Sequence, residues 1–397
     1  MPSAIASCSR LNSRTSHRRR SSAGLALPLQ QITSNVVPAQ HSLTRKTPHR
    51  VTFNAIQDVC AIPEKSSDRQ LNYIKFKDGV YCTDLPAPSV RTGIPKPSTY
   101  YQIAPVGGPA HTQGLGMLAT NDIARGSVIL VERPVLVILA SALNYLTLEM
   151  LDPKLAKVLL GLSSSDGTLE GIIRTNSKEI EVPVQGSEMK RCFGLFPDMA
   201  RVNHSCGPNA LWRWDSLNLM LTLEAVRPIA AGSEITIPYI DCLQPRSSRR
   251  HQLKSIYGFE CHCDFCDIHW SSLPTGVHSS DSTRMELAEF WDRLPPFEEW
   301  CSDTTAEDEE LIKMHIRALE LREQEGTQGF YYKKHIEAIA MCYGALADVE
   351  GFRVWTERVR RLRISGGEFA APAVLEKWLD DPREFPVWGM RAEVVTA

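Results

Sequence analysis

Three cysteines, Cys261, Cys263 and Cys266, crowd into six residues, and no other feature of this 397-residue chain restricts its folding so tightly. Thiols this close together serve better as metal ligands than as disulfide partners. Zinc takes four ligands in a tetrahedron, so C-x-C-x2-C on one tight loop is an incomplete site. The fourth ligand must arrive from elsewhere in the chain. Cys206, Cys242, His262 and His269 are the candidates, with His262 cramped inside the loop itself. Closed by four protein ligands, such a site would be structural: it would pin a loop and leave no position at which to activate water. The remaining cysteines (Cys8, Cys60, Cys82, Cys192, Cys206, Cys242, Cys301 and Cys342) are scattered, so the chain reads as a protein of a reducing compartment.

Composition sets the outer bounds. Hydrophobic residues make up 43% and charged residues 23%, which excludes a disordered, collagenous or coiled-coil chain. No apolar run approaches the roughly 18 residues of a membrane-spanning helix. The net charge of −2 gives no direct nucleic-acid signal, but it hides an asymmetry. Eight basic residues precede the first acidic one, Asp58, which leaves 36 basic against 46 acidic residues for the whole remainder. The leading segment is also Ser-rich and lacks a long apolar core, so a secretory signal is not expected. Its composition fits a solvated tail, a mitochondrial address, or a small basic patch at Arg18-Arg19-Arg20 suited to nuclear import.

Residues 1–95 read as a basic tail and linker, with a short ordered piece around Leu71 to Val80. Ser127 to Leu139 (SVILVERPVLVIL) is dense in β-branched residues and predicts strands broken at Pro134. Ala140 to Leu162 carries an apolar pattern that predicts helix on both sides of Pro153, and Gly167 to Gly186 reads as looser and polar. Leu217 to Ala225 and Glu234 to Ile240 predict further strands around a turn at Ala230 to Ser233. Short, numerous strands exclude a doubly wound dinucleotide fold. From about residue 280 the pattern turns helical: Ile336, Ile339, Ala340 and Tyr343 form one stripe, and Phe352, Trp355, Val359 and Leu362 another. Core packing explains both stripes. Gly326, Gly351 and Gly366-Gly367 fall where helix ends are expected, and the acidic run Glu307 to Glu310 suits a helix N-terminus.

Two further motifs are weak alone. Asn203-His204-Ser205-Cys206-Gly207-Pro208-Asn209 is a polar turn; a Cys–His nucleophile pair there lacks an identifiable third group. Gly114-Leu115-Gly116-Met117-Leu118-Ala119 precedes strands and opens no helix, so it is no Rossmann fingerprint. In order they are far more specific. Gly114-x-Gly116-x-x-Ala119, the Asn203 to Asn209 turn, Gly232-Ser233-Glu234-Ile235-Thr236-Ile237-Pro238-Tyr239-Ile240-Asp241, and Tyr257-Gly258-Phe259-x-Cys261-x-Cys263-x-x-Cys266 together resemble a SET-domain protein-lysine methyltransferase. The resemblance covers about residues 100–270 and is nearest the SET-and-MYND branch and its fungal relatives without the MYND finger. Leu139 to Arg191 contains no Cys or His from which such a finger could be built.

That resemblance implies a mostly β SET fold of small sheets with a knot-like C-terminal segment. The SET domain would span residues 100–241 with a variable insert near 140–190, a zinc-bound post-SET loop at 255–270 and an α-helical extension over 280–397. It implies S-adenosylmethionine in one pocket and a lysine entering from the opposite face. Gly114, Leu115 and Gly116 would offer backbone to the cofactor, Asn203 and His204 would contact it, and Phe259 would stack on its adenine. Tyr239 matches the catalytic tyrosine, bordering the cofactor as well, and Tyr257 would line the lysine channel. Cys206 matches the fourth zinc ligand beside Cys261, Cys263 and Cys266. Two positions depart from the pattern: Pro238 precedes the tyrosine, and Thr112-Gln113 stand where a basic residue is usual.

The expected activity is thus S-adenosylmethionine-dependent N-methylation of a lysine in a histone or non-histone protein, by an intracellular, non-membrane, monomeric chain. Nucleus or cytoplasm is the expected address, with the mitochondrion as the alternative raised by the leading segment. Pro238 keeps a catalytically silent SET-domain interaction module as the rival. A zinc hydrolase would need an open metal position, which four thiolates deny.

Overall fold

The computed structural model describes residues 76–82, 100–107, 114–184, 188–267, 280–365 and 372–392. The leading segment up to residue 75, Thr112-Gln113, His269 and Gly366-Gly367 lie outside the described residues.

Eleven strands among the described residues form three small sheets. β1 (Val80–Cys82), β5 (Leu136–Leu139), β7 (Met189–Leu195) and β6 (Lys178–Pro183) make the first, in that order. β4 (Val128–Glu132), β10 (Met220–Ala225) and β9 (Ala210–Asp215) make the second; β2 (Tyr101–Val106), β3 (Gly114–Ala119), β11 (Glu234–Ile237) and β8 (Asn203–His204) make the third. Pro134 divides the β-branched run as expected, and its two halves join different sheets. β10 alternates so that Leu221, Leu223 and Ala225 are buried. A one-residue slip would expose all three, at about 2 kcal/mol for each large side chain, which fixes its register.

Four expectations are corrected. Pro153 opens the helix α1 (Pro153–Leu160), but only 3-10 turns, Ala140–Tyr145 and Leu148–Met150, precede it. The residue before a proline is pushed out of helical geometry, and Asp152, extended at ψ 141°, instead caps α1 by accepting from the Lys154 N–H. Gly167 to Val184 is not loose: Thr168 caps the helix α2 (Leu169–Asn176), and β6 follows; the rest of the expected stretch lies outside the described residues. Lys178, Glu179 and Glu181 disguised that strand, whose Ile180 and Val182 are buried. Gly351 ends no helix; it lies in the first turn of the helix Val349–Ser365, with its N–H donating to Asp348 Oδ1 at 2.9 Å. The expected strand at Leu217 begins at Met220, because Asp215 Oδ1 accepts from the N–H groups of Leu217 and Asn218 and forms a turn there.

Beyond the strands, α3 (Arg246–Gln252) runs into a π turn, Leu253–Tyr257, which Gly258 stops at φ +78°. The helical region comprises α4 (Ser280–Ala288), α5 (Phe290–Arg293), α6 (Phe297–Ser302), α7 (Glu310–Gln324), α8 (Tyr332–Ala345), α9 (Val349–Ser365) and α10 (Pro372–Asp380). Both apolar stripes pack inward there: Ile336, Ile339, Ala340, Phe352 and Val359 are buried in one core with Trp300 and Trp378. Among the described residues, no helix is long and apolar enough to cross a membrane.

Candidate functional site

The site grows from the one parallel pairing among the described strands. Thr236 of β11 faces Asn203 and Ile237 faces His204, although the segment between β8 and β11 first builds the β9–β10 hairpin. Asn209 locks this junction: its Nδ2 donates to the Glu234 carbonyl at 2.8 Å, and its Oδ1 accepts from the Thr236 N–H at 2.8 Å. On its other edge β11 pairs with β3 only at Met117 and Leu118. Gly114, Leu115 and Gly116 pair with β2 alone, so the edge they turn toward β8 carries spare backbone groups. Asn203 bridges that gap. Its Nδ2 donates to Glu234 Oε1 at 2.7 Å and to the Leu115 carbonyl at 3.3 Å. A carboxylate can only accept, so the amide nitrogen must face Glu234, and Asn203 Oδ1 keeps its lone pairs for another donor.

His204 points inward. Its Nδ1 accepts the Tyr239 backbone N–H at 3.0 Å, which places the ring proton on Nε2, 3.4 Å from Cys206 Sγ. Burial drives its pKa down to about 4, so the ring is neutral at physiological pH. The imidazole is therefore committed to Tyr239 and Cys206, and only the His204 backbone is left to meet a ligand.

The Tyr239 hydroxyl donates to the Val202 carbonyl at 2.7 Å, and the Tyr257 hydroxyl donates to the Tyr239 carbonyl at 3.2 Å. The two rings lie 4.9 Å apart, and Phe259 meets Tyr239 edge-on at 6.5 Å. Burial pushes the pKa of Tyr239 up and that of Tyr257 to about 12, so both keep their protons at neutral pH. Neither is a base; both are oriented polar groups on aromatic walls.

Sγ atoms of Cys206, Cys261, Cys263 and Cys266 all lie within 4.8 Å of one another, and Cys206 is 3.5 Å from Cys266. Among the alternatives, Cys242 turns its thiol to the Ser205 and Ile240 carbonyls, and His262 turns outward to Asp267. The Cys263 thiol is held well below its ordinary range by hydrogen bonds from Cys206, Cys261 and Cys266, and Cys206 is raised by the same contacts. Four soft sulfurs held this close together form a group that could hold a metal ion.

Comparison with known proteins agrees with this geometry. The profile of the SET domain matches residues 114–240, from the first residue of β3 to the residue after Tyr239. This chain carries a SET domain. Histone-lysine N-methyltransferase SMYD3 of Mus musculus is 47% identical over 73 residues, which are 18% of this chain and 17% of the relative. Histone-lysine N-methyltransferase set5 of Schizosaccharomyces pombe is 35% identical over 100 residues, 25% of this chain and 30% of the relative. N-lysine methyltransferase SMYD2-A of Danio rerio is 32% identical over 148 residues, 37% and 29% of the two chains. Each alignment takes in less than a third of the relative's length.

Several residues that hold the SET site gave little signal in sequence. Arg284 is fully buried; its Nη1 donates to the carbonyls of Cys206 and Cys242, and its Nε to Glu325 Oε2 at 2.9 Å. Arg249, also fully buried, donates to the Gln244 and Phe265 carbonyls. Phe265 lies against two glycines: a Cβ on Gly207 would stand 1.9 Å from its ring, and one on Gly326, itself at φ +65°, would stand 2.7 Å from it. The thiol loop is thus fastened to both the SET core and the helical region. Arg284 and Arg249 look like ordinary surface charges in sequence, and no local period marks them.

Proposed function

We propose that this chain is an S-adenosylmethionine-dependent protein-lysine N-methyltransferase, stabilised by a structural zinc and acting on a lysine of a histone or non-histone protein. The observation that carries the reading is the β8–β11 pairing, which sets Asn203 against the Gly114 to Gly116 segment and His204 against the backbone of Tyr239. S-adenosylmethionine supplies an electrophilic methyl group on a sulfonium. The spare backbone of Gly114 to Gly116 and the free Asn203 Oδ1 suit the zwitterionic methionine end, and Phe259 offers an aromatic face to the adenine. Tyr239 has spent its proton on Val202, so its oxygen accepts from the incoming amine and orients the nitrogen lone pair. The aromatic walls of Tyr239 and Tyr257 favour the neutral amine over the ammonium by withholding water. Cys206, Cys261, Cys263 and Cys266 would hold zinc, which would fix the loop carrying Phe259.

The rival, a silent interaction module, draws on Pro238. Here β11 has already ended at Ile237, and the next N–H, that of Tyr239, is taken by His204. The proline therefore leaves no ladder position empty.

Calorimetry on the zinc-loaded full chain should give one S-adenosylmethionine bound per chain; absence of binding in the folded protein would favour the silent module. Tyr239→Phe should lower methyl transfer about 10²–10³-fold, the scale of losing one oriented polar group at a reacting centre. Its cofactor affinity should stay near wild type, and undiminished turnover would refute the role given to Tyr239. Elemental analysis should find one zinc per wild-type chain and a metal-depleted Cys263→Ser. A fully loaded mutant would mean the ligand set is wrong.

A further inference from the structure

One lysine of the chain already stands at this site. Lys178 is the first residue of β6, and its ammonium lies over the Tyr239 ring, 5.3 Å from the centroid. Part of its surface stays open to solvent, as a channel requires, but protein crowds the ammonium end. The backbone leading into it is tied down on both sides of the turn. Asn176 Nδ2 donates to the carbonyls of Ser163 and Ile172 at 2.7 and 2.6 Å, and Ser177 Oγ donates to the Ile173 carbonyl at 2.6 Å. Lys178 is thus aimed, not trailing.

Among the described residues, no carboxylate lies within ion-pair distance of this ammonium, and it makes no hydrogen bond. A structural lysine would need such a partner. Crowding a charge away from water without one costs more than a cation–π contact returns.

We propose that Lys178 is a methyl acceptor of this site, presented by the chain to its own Tyr239; the inference rests on the methyltransferase reading above. Loss of hydration lowers the Lys178 pKa to about 8, so a useful share of the amine is free near neutral pH. The Nζ lone pair forms the N–C bond to the sulfonium methyl as the C–S bond breaks and its electron pair goes to sulfur. The thioether product, S-adenosylhomocysteine, leaves, and the methylammonium returns its extra proton to solvent. Tyr239 offers this internal lysine the same aromatic face that it offers an external one.

The test is to incubate the full-length zinc-loaded chain with S-adenosylmethionine bearing a deuterated methyl group, with no other protein present, and map the label by peptide mass spectrometry. Label should accumulate on Lys178, at a first-order rate unchanged by hundredfold dilution of the protein, and should be lost in Lys178→Arg and in Tyr239→Phe. If the wild-type chain binds S-adenosylmethionine by calorimetry yet Lys178 stays unlabelled, this inference fails and the methyltransferase reading stands. A rate that falls with dilution would overturn presentation by the same chain. Without cofactor binding, both readings fall together.

Discussion

The strand region and the helical region treat their buried ionisable groups in opposite ways. In the helical region, Arg363 meets Glu337 at 2.6 Å with both side chains buried. Arg391 donates to the carbonyls of Trp300, Asp303 and Ala306 and to the Asp308 carboxylate. Arg322 Nε donates to His335 Nε2 at 3.0 Å, and the Nδ1 atoms of His335 and His315 share a proton at 3.0 Å. These groups join one helix or turn to the next. In the strand region, Lys178 has no counter-ion among the described residues, and the Glu132 carboxylate, mostly buried, is answered by two backbone N–H groups, those of Asp198 and Met199. The matched charges at Arg363 and Arg391 hold the helices together; Arg322 is the exception there, its Nη1 and Nη2 buried without a partner among the described residues, while the mismatched groups of the strands lie at the candidate site and where the sheets meet.

That contrast gives the two regions different responses to acid, and the largest expected effect lies there. Burial lowers the pKa of His315 to about 3 and that of His335 to about 2, the latter with help from Arg322. The unfolded chain takes up protons at these rings below about pH 6.5 and the folded chain does not, so their stability contribution falls as the pH falls. Protonating either ring also removes an acceptor that Arg322 or its neighbour needs. At pH 4.5 the loss should be roughly 3–5 kcal/mol for the pair. In the strand region His204 acts in the same sense, but Glu132 opposes it across the same range. Hydrogen exchange should therefore show α7 and α8 loosening before β4 and β10 as the pH drops from 6.5 to 4.5. Strands that loosened first would break the comparison.

The second effect is smaller and confined to one pair. Arg363→Met leaves Glu337 charged and buried without its partner, which should cost about 3 kcal/mol in urea unfolding. Replacing both partners, Arg363→Met with Glu337→Met, should recover most of that loss, since a well-packed apolar pair can match a buried ion pair. A double variant as unstable as the single one would show that the pair has a further partner to satisfy.

What was legible in the sequence follows the range of the interaction. The β-branched run around Pro134 and the stripes through Ile336 and Phe352 were legible because each repeats within one element. The three cysteines of the loop were legible for the same reason, but spacing alone left four candidates for the fourth ligand. Only the resemblance to the SET family selected Cys206, and in the fold its sulfur lies with the other three. β9 escaped because Trp212, Arg213 and Trp214 blur the apolar alternation, and β6 because Lys178, Glu179 and Glu181 look like a solvated face. The contact of His204 with Tyr239 joins residues 35 apart in sequence, and that of Arg284 with the Cys206 carbonyl residues 78 apart. No local pattern encodes either; closure of the sheets creates them.

Glu132 gives the finest test, and it runs opposite in sign to the histidines. Burial, against the help of its two N–H donors and with Asp198 adding repulsion, raises its pKa to about 7. The neighbouring Tyr101 hydroxyl is spent on Asp198 at 2.6 Å and offers Glu132 no donor. The folded chain therefore holds this proton more tightly than the unfolded chain does. Its contribution is fully present below about pH 4.5 and is lost as the pH rises through about 7, a change of ~2 kcal/mol after allowance for partial exposure. Glu132→Gln should abolish that slope. The readout is amide exchange at Asp198 and Met199, corrected for its intrinsic pH dependence. In the wild type, protection there should fall as the pH is raised from 5 to 7.5; in the variant it should stay flat. A wild-type slope that survives in Glu132→Gln would place its source outside Glu132 and leave the strand region without the mismatched carboxylate that separates it from the helices.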